Sequence, residues 1–202
     1  MDVYGQLVRR VLVPLWDRRI RRRPTLDYLA RLRSLESRSF DQLVEFQRAE
    51  LARLLDHAYA HVPSYRQLFD RSGLSPSDIR GPADLPRLPL LDRSAAQRAG
   101  DTRSSTAPPA PSIRKTTGGT TGEPLVIRYD QDSEHWRQAI KLRGFGYSGW
   151  RMGDPAIHYW GEPSSAKPLS TRAKETIDRA IRREHYIDCT SRGDDHKADV
   201  VR

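Results

Sequence analysis

The stretch Thr116-Thr117-Gly118-Gly119-Thr120-Thr121-Gly122-Glu123-Pro124 decides how this chain is interpreted. Glycines let the backbone turn its N–H groups toward one point, where they bind phosphate oxygens, and threonine hydroxyls add further donors. The segment that follows, Leu125 to Tyr129, is rich in β-branched and aromatic residues and predicts a strand. The sequence therefore predicts an anion-binding loop that precedes a strand. A glycine- and threonine-rich hairpin turn without a ligand is the alternative.

The order of loop and strand excludes two common phosphate loops. A Walker-type loop follows a strand, opens a helix and ends in Gly-Lys-Ser/Thr, whereas Gly122 is followed here by Glu123 and Pro124. A Rossmann fingerprint needs a different glycine spacing and a helix directly after it. A phosphate loop of another class is therefore expected.

The loop resembles the signature of the adenylate-forming superfamily, commonly Thr-Ser-Gly-Thr-Thr-Gly-x-Pro-Lys. Within this superfamily the chain is most similar to the phenylacetate–coenzyme A ligase branch and its CapK-like relatives. The resemblance covers about residues 40–190 and includes residues 51–66, residues 79–91 and His158-Tyr159-Trp160-Gly161. Two positions depart from the signature, because Gly118 stands where serine is usual and Leu125 where lysine is usual. Thr116 or Thr117 could replace the missing hydroxyl.

The resemblance implies an enzyme that uses ATP, Mg²⁺ and coenzyme A. A carboxylate attacks the α-phosphate of ATP, and a thiol then takes the acyl group from the acyl-adenylate. The implied nucleotide-binding residues are Thr116, Thr117, Gly118, Gly119, Thr120, Thr121 and Gly122. The implied acyl pocket is lined by His158, Tyr159, Trp160 and Gly161, for which aromatic packing in a core strand is the alternative. Lys115 could add charge beside the loop or be a solvated flank.

The family's magnesium-binding Glu, ribose-binding Asp and catalytic Lys would lie beyond residue 202, so no catalytic residue is assigned. We therefore expect an N-terminal part of a ligase that binds ATP weakly and does not turn over alone. The acid that is activated is not encoded in a recognisable motif. A truncated or frameshifted reading frame is an alternative origin.

The pattern predicts an α/β fold with a helical N-terminal segment. The resemblance implies that part of the large N-terminal domain of an adenylate-forming enzyme follows, with an incomplete parallel or mixed sheet and flanking helices. We predict a basic arm at residues 1–38, a helical segment at 39–99 and a linker at 100–112. A partial α/β nucleotide-binding domain at 113–190 and a polar tail at 191–202 follow. Apolar residues recur at threes and fours over 39–62, which indicates a helix. The order strand, helix, strand over 156–189 suggests parallel strands.

Charge is concentrated at the N-terminus. The formal net charge is +9, and residues 1–23 contain seven arginines against Asp2 and Asp17. The residues Val8, Val11, Leu12, Leu15 and Trp16 have helical spacing, so residues 9–23 could contact an anionic lipid surface or a nucleic acid. A solvated arginine-rich arm is the alternative. No specific nucleic-acid motif is present.

The single cysteine and the N-terminal arginines indicate in which cellular compartment the protein resides. The single cysteine, Cys189, cannot form an internal disulfide, and the arginines near the start argue against a secretory signal. We therefore expect a cytoplasmic protein. Cys189 follows His185 by four residues and could be a nucleophile, although an inert residue near a strand end is the alternative.

Overall fold

The computed structural model describes residues 2–107, 112–117, 124–160 and 169–188. Its described residues form an α/β fold of mostly helical content with two small sheets. The α-helices are α1 (Val3–Leu7), α2 (Val13–Leu15), α3 (Thr25–Leu35), α4 (Phe40–His61), α5 (Pro63–Arg71), α6 (Arg93–Ala99), α7 (Gln131–Tyr147) and α8 (Leu169–Arg182). The strands are β1 (Ser112–Thr116), β2 (Val126–Asp130), β3 (Ala156–Trp160) and β4 (Glu184–Asp188).

The chain divides into two compact units. The first combines residues 2–32 with the described residues from 135 onward, and the second contains the described residues of Arg33–Glu134. The predicted boundaries at residues 38, 99, 112 and 190 concern which segments fold independently. The division into two compact units does not test this, so the boundaries stay a prediction.

The N-terminal part of the first unit is an unusual helix. Two π-helical segments, Val8–Leu12 and Trp16–Arg21, alternate with α1 and α2. Their wider turns change which residues share a face. Gly5, Val8, Val13 and Asp17 are buried, whereas the predicted stripe of Val8, Val11, Leu12, Leu15 and Trp16 is not one face. The prediction of that stripe is wrong because it assumed a uniform α-helical period.

Helix α3 was not foreseen in the arginine-rich segment 24–38. Its buried residues are Thr25, Leu29 and Leu32, and the two leucines pack with Ala139 and Leu142 of α7 into the core of the first unit. The ring of Tyr28 stacks on Trp136 with the centroids 4.1 Å apart. Trp150 also packs against this core, and it contacts Phe145, which faces His158.

The first unit also contains the parallel layer. Strands β3 and β4 are parallel, with His158 opposite Tyr186, and α8 connects them in the chain. The predicted order of strand, helix and parallel strand is confirmed. Ile157 and Tyr159 are exposed, so consecutive side chains of β3 point to opposite faces.

The second unit is built on α4, which begins and ends where the sequence predicts. Ser39 and Gln42 form a reciprocal capping box, and Val62 leaves the helical conformation before Pro63. The core of this unit consists of Leu55, Phe69 and Ile79, with Leu51, Tyr59, Leu74 and Leu88 packed around it. Leu88 joins this core, whereas the nearby Leu90 is 98% exposed.

The second sheet is a hairpin of β1 and β2, which pair antiparallel from Ser112 opposite Asp130 to Thr116 opposite Val126. Strand β2 confirms the strand predicted after the loop, whereas β1 begins where a linker was expected to end. Among the described residues, no helix is long and apolar enough to cross a membrane.

Candidate functional site

The predicted anion-binding loop lies at the closed end of the β1–β2 hairpin. Of its residues, Gly118, Gly119, Thr120, Thr121 and Gly122 lie outside the described part of the chain. Thr116 is the last residue of β1, and Thr117 follows it. The structure therefore fixes both ends of the loop, at Thr117 and Leu125, between two paired strands.

Thr117 and Leu125 close the loop through two reciprocal hydrogen bonds. The backbone N–H of Thr117 donates to the carbonyl of Leu125 at 3.0 Å, and the backbone N–H of Leu125 donates to Oγ1 of Thr117 at 3.0 Å. A hydroxyl that accepts one hydrogen bond keeps its own proton for donation. The geometry therefore orients the Thr117 hydroxyl and leaves it able to donate to a phosphate oxygen.

The two described threonines of the loop lie on opposite faces of the hairpin. Thr116 shares its face with Arg114, two positions earlier, and with Arg128 across the strands, whereas Thr117 alternates to the other side. Lys115 also lies on the side of Thr117, where its Nζ is 5.2 Å from the ring centroid of Tyr129. Lys115 is exposed, and its ammonium group lies over the Tyr129 ring in a cation–π contact.

Arg114 and Arg128 form a positively charged pair that sequence reasoning missed. They lie directly opposite each other in the β1–β2 register, an arrangement in which like charges destabilise a sheet. The nearest acid recorded for this pair is Asp101, whose Oδ1 is 3.9 Å from Arg128 and whose side chain is 95% exposed. Two weakly compensated guanidinium groups beside the loop favour a polyanionic ligand. Only the strand register could have identified the pair.

The predicted acyl-pocket residues are not gathered on one face. The side chain of His158 is 17% exposed, and it stacks on Tyr186 at 4.5 Å and faces Phe145 at 6.4 Å between ring centroids. Tyr159 points to the opposite face and is 68% exposed. Trp160 is described only as part of β3, and Gly161, like Cys189, lies outside the described residues. The surroundings of His158 match the aromatic-packing alternative, and its role in a pocket stays a prediction.

The His158 environment is nevertheless electrostatically distinctive. Burial lowers the pKa of His158 below its ordinary value, and nearby Lys141 and Arg179 lower it further, although Glu184 opposes this change. Nε2 of His158 lies 3.6 Å from Oε2 of Glu184, too far for a hydrogen bond. The hydroxyl of Tyr186 donates to Glu184 at 3.1 Å, and burial together with Glu184 raises the pKa of Tyr186 to about 12. Glu184 is the carboxylate partner of His158 that sequence reasoning did not find.

An open cleft of about 500 Å³ lies elsewhere in the second unit. Its lining residues come from α4 and from the segment around Pro82, and they include Arg48, Arg80 and Asp84. None of the predicted site residues lines it. In the described part of the chain, no group of three or more His, Cys, Asp or Glu side chains is placed to hold a metal ion.

Comparison with known proteins agrees with the predicted family resemblance and with the fold. The chain is 33% identical over 165 residues to the phenylacetate–coenzyme A ligase of Escherichia coli (strain K12), a match that covers 74% of this chain and 38% of that protein. It is 33% identical over 131 residues to the phenylacetate–coenzyme A ligase of Aromatoleum evansii, covering 61% of this chain and 28% of that protein. This chain is a homologue of the phenylacetate–coenzyme A ligases, within the adenylate-forming superfamily.

Solved structures show the same fold for this homologue of the phenylacetate–coenzyme A ligases. A 2-hydroxyisobutyryl-CoA ligase, solved in the postadenylation state with R3-HIB-AMP, matches 80% of the chain with a TM-score of 0.58 and 14% identity. The same enzyme in the thioesterification state matches 81% with a TM-score of 0.51 and 17% identity. The chain covers 34% and 35% of those proteins, respectively. No protein-family profile matches the chain.

Proposed function

We propose that this chain contributes the nucleotide-phosphate loop of an ATP-dependent acyl ligase. The observation that carries the proposal is the pair of reciprocal hydrogen bonds between Thr117 and Leu125. These bonds hold the ends of a glycine- and threonine-rich segment together in a chain homologous to phenylacetate–coenzyme A ligases. A match over 74% of a 202-residue chain necessarily spans position 117. The matched segment therefore runs across the position where the loop begins, which supports the proposal.

The proposed chemistry is the transfer of an adenylyl group to a carboxylate. The carboxylate oxygen bonds to the α-phosphorus, the bond to the bridging oxygen breaks, and pyrophosphate leaves with the electron pair. A thiol, proposed to be that of coenzyme A, then attacks the acyl carbon and displaces AMP. Catalysis of such a step depends on positioning and on stabilising negative charge that is spread over phosphate oxygens. Loop N–H groups and the Thr117 hydroxyl would supply that stabilisation. Arg114 and Arg128 lie on the other face of the hairpin and would add positive charge near the loop without sharing a face with Thr117.

Several partners belong to the same proposal. The substrates would be ATP, a small carboxylic acid and coenzyme A, in a cytoplasmic enzyme of the CapK-like group. Magnesium would neutralise the phosphates when bound, but the described residues include no cluster of acidic ligands for it. We assign no magnesium ligand among the described residues. The predicted contact of residues 9–23 with an anionic surface is independent of nucleotide binding.

Titration of the 202-residue chain with ATP, followed by calorimetry and by backbone NMR, tests the proposal. We expect weak binding, with chemical-shift changes at Thr117 and Leu125. The Thr117→Val variant keeps the backbone bond but loses the hydroxyl, so it should bind ATP more weakly, by about tenfold or more, as expected for one lost hydrogen bond to a charged group. Thr102→Val, which removes a hydroxyl bonded to Ala99 in the same unit, is the matched control. Unchanged shifts at both ends of the loop would contradict the assignment.

Catalytic turnover by the chain alone is tested separately from ATP binding. The chain spans 38% of the Escherichia coli relative, and the proposal assigns only phosphate binding to it. We expect no release of pyrophosphate when the chain is incubated with ATP, Mg²⁺ and a panel of carboxylic acids. Clear turnover by the chain alone would show that it also contains catalytic groups that this proposal does not assign.

A further inference from the structure

The N-terminal helix of the first unit is held in one orientation by its buried face. Val8 and Val13 are fully buried. Arg9 donates to the carbonyl of Met152 at 2.9 Å and to Asp154 at 3.3 Å, and Asp17 is bound by Arg182 at 2.7 Å. Because these contacts fix the rotation of the helix about its axis, its opposite face cannot turn inward.

That opposite face carries an apolar stripe, which we call the N-terminal stripe: Val3, Leu7, Val11 and Leu15. Their exposed fractions are 77%, 46%, 42% and 55%. These residues are four positions apart in the chain. Four residues are more than one turn of an α-helix, which takes 3.6, and fewer than one turn of the wider π-helix. The alternation of α and π segments therefore keeps the four side chains close to one line. Tyr4 and Ile20, 50% and 62% exposed, extend the apolar surface. Contiguous exposed apolar surface of this kind marks an interaction site.

Arginines accompany the N-terminal stripe. Arg19 continues the four-residue spacing beyond Leu15, and Arg10 and Arg22 are also exposed. Within the described residues these three have no ion pair, whereas Arg18 is paired with Asp27 at the surface. The acids of the same helix are occupied, since Asp17 is buried and Asp2 binds Arg183 and the backbone N–H of Gly5. The exposed face is therefore apolar along its centre and cationic beside it.

We propose that the N-terminal stripe and its arginines dock the protein onto an anionic phospholipid bilayer. An amphipathic helix with aliphatic residues on one face and arginines beside them lies in the interface, with its apolar side chains buried roughly 5–10 Å into the headgroup and acyl boundary. The guanidinium groups of Arg10, Arg19 and Arg22 bind lipid phosphates. The lipid phosphates supply the charge complementarity, and the acyl boundary covers the apolar surface. Docking would hold the whole protein at the membrane surface.

Co-sedimentation of the 202-residue chain with vesicles tests this proposal. The chain should bind vesicles of phosphatidylcholine mixed with phosphatidylglycerol and not vesicles of phosphatidylcholine alone, and raised salt should weaken binding. Leu7→Ser combined with Leu15→Ser should weaken binding about tenfold or more, because each leucine loses burial in the acyl region. Leu90→Ser, a change at a fully exposed leucine of the other unit, should not.

Charge is tested separately from apolar insertion. Arg19→Glu should weaken binding to the mixed vesicles about fivefold or more, whereas Arg71→Glu, the same charge change at the end of α5, should have a much smaller effect. Circular dichroism of each variant checks folding. If the double leucine variant does not fold, the comparison of Arg19→Glu with Arg71→Glu decides the outcome.

Three results would overturn the proposal. The first is the absence of binding to the mixed vesicles, and the second is binding that the leucine changes leave intact. The third is a different occupant. A dimer abolished by the leucine changes, without lipid binding, would assign the surface to a second copy of the chain, and salt-sensitive binding of duplex DNA with no lipid binding would assign it to nucleic acid.

Discussion

Arg182 binds the carboxylate of Asp17 with one nitrogen, Nη2, which lies 2.7 Å from both carboxylate oxygens. The two residues are 165 positions apart in the chain, and Asp17 is fully buried. Asp178 joins them, since it accepts hydrogen bonds from Arg182 at 2.9 Å and from Arg23 at 2.7 Å. The N-terminal helix is therefore fastened to α8 by alternating charges rather than by apolar contact alone.

Removing one partner of this network should be costly. Asp17→Ala leaves the guanidinium of Arg182 largely buried without its main counter-charge, so we expect the free energy of unfolding to fall by about 3–5 kcal/mol. Chemical denaturation measures this change. Asp27→Ala breaks the exposed pair with Arg18 and should cost less than about 1 kcal/mol. Similar losses in the two variants would show that the buried network is not a special source of stability.

Acid should weaken the fold through His158. Its pKa is lowered in the folded state by burial, so the unfolded state binds a proton more readily and stability falls as the pH drops below the ordinary value of 6.5. The stability is fully present above that pH and is lost through the window between 6.5 and the lowered pKa. His158→Phe should flatten the pH dependence of unfolding in this window, because Phe145 and Tyr186 can pack against the new ring. His185→Phe, at an exposed position of β4, is the matched control for replacing a histidine by phenylalanine in the same sheet.

Arg114 should show opposite effects on stability and on binding. Arg114→Glu places a carboxylate opposite Arg128 and should stabilise the hairpin by about 0.2–1 kcal/mol. If the pair binds nucleotide phosphates, the same change should weaken ATP binding about tenfold, because it removes one cation and adds an anion beside the loop. Thermal unfolding and calorimetric titration measure the two effects. Arg71→Glu is the charge-matched control, and unchanged ATP affinity in Arg114→Glu would exclude Arg114 from the site.

Gly153 should be sensitive to a single methyl group. Its φ is +94°, and a Cβ there would lie 2.6 Å from the carbonyl oxygen of Gly5 and 3.1 Å from the side chain of Val8. Gly153→Ala should therefore displace the N-terminal helix, with faster amide exchange over residues 3–21. Gly149 also has a positive φ, +88°, but open space around it. Gly149→Ala should carry only the backbone cost of about 1–2 kcal/mol, and equal exchange rates in the two variants would contradict this account.

Local signals predicted some elements well. Ser39 and Pro63 bracket α4 because capping and the restriction before proline act within a few residues. The homology and the loop were visible because the threonines and glycines are consecutive in the sequence. The parallel pairing of β3 and β4 followed from the order of elements.

Other features depend on contacts that are distant in the sequence. The face formed by Val8, Val13 and Asp17 requires π-helical turns, which an apolar period of 3.6 does not anticipate. Arg114 meets Arg128 only once the strand register is fixed, and Glu184 approaches His158 through the pairing of β3 with β4. Pairings of this kind are set by the tertiary structure, so the single sequence left them open.

The closure at Thr117 and Leu125 has a practical consequence for protein engineering. The ends of the loop are joined by one backbone hydrogen bond and by one bond from the Leu125 N–H to the Thr117 hydroxyl. Because both bonds lie at Thr117 and Leu125, they do not depend on the composition of residues 118–123. Segments of other lengths or sequences can be grafted there while the hairpin is retained. The hairpin is thus a scaffold on which libraries of ligand-binding loops can be displayed and selected.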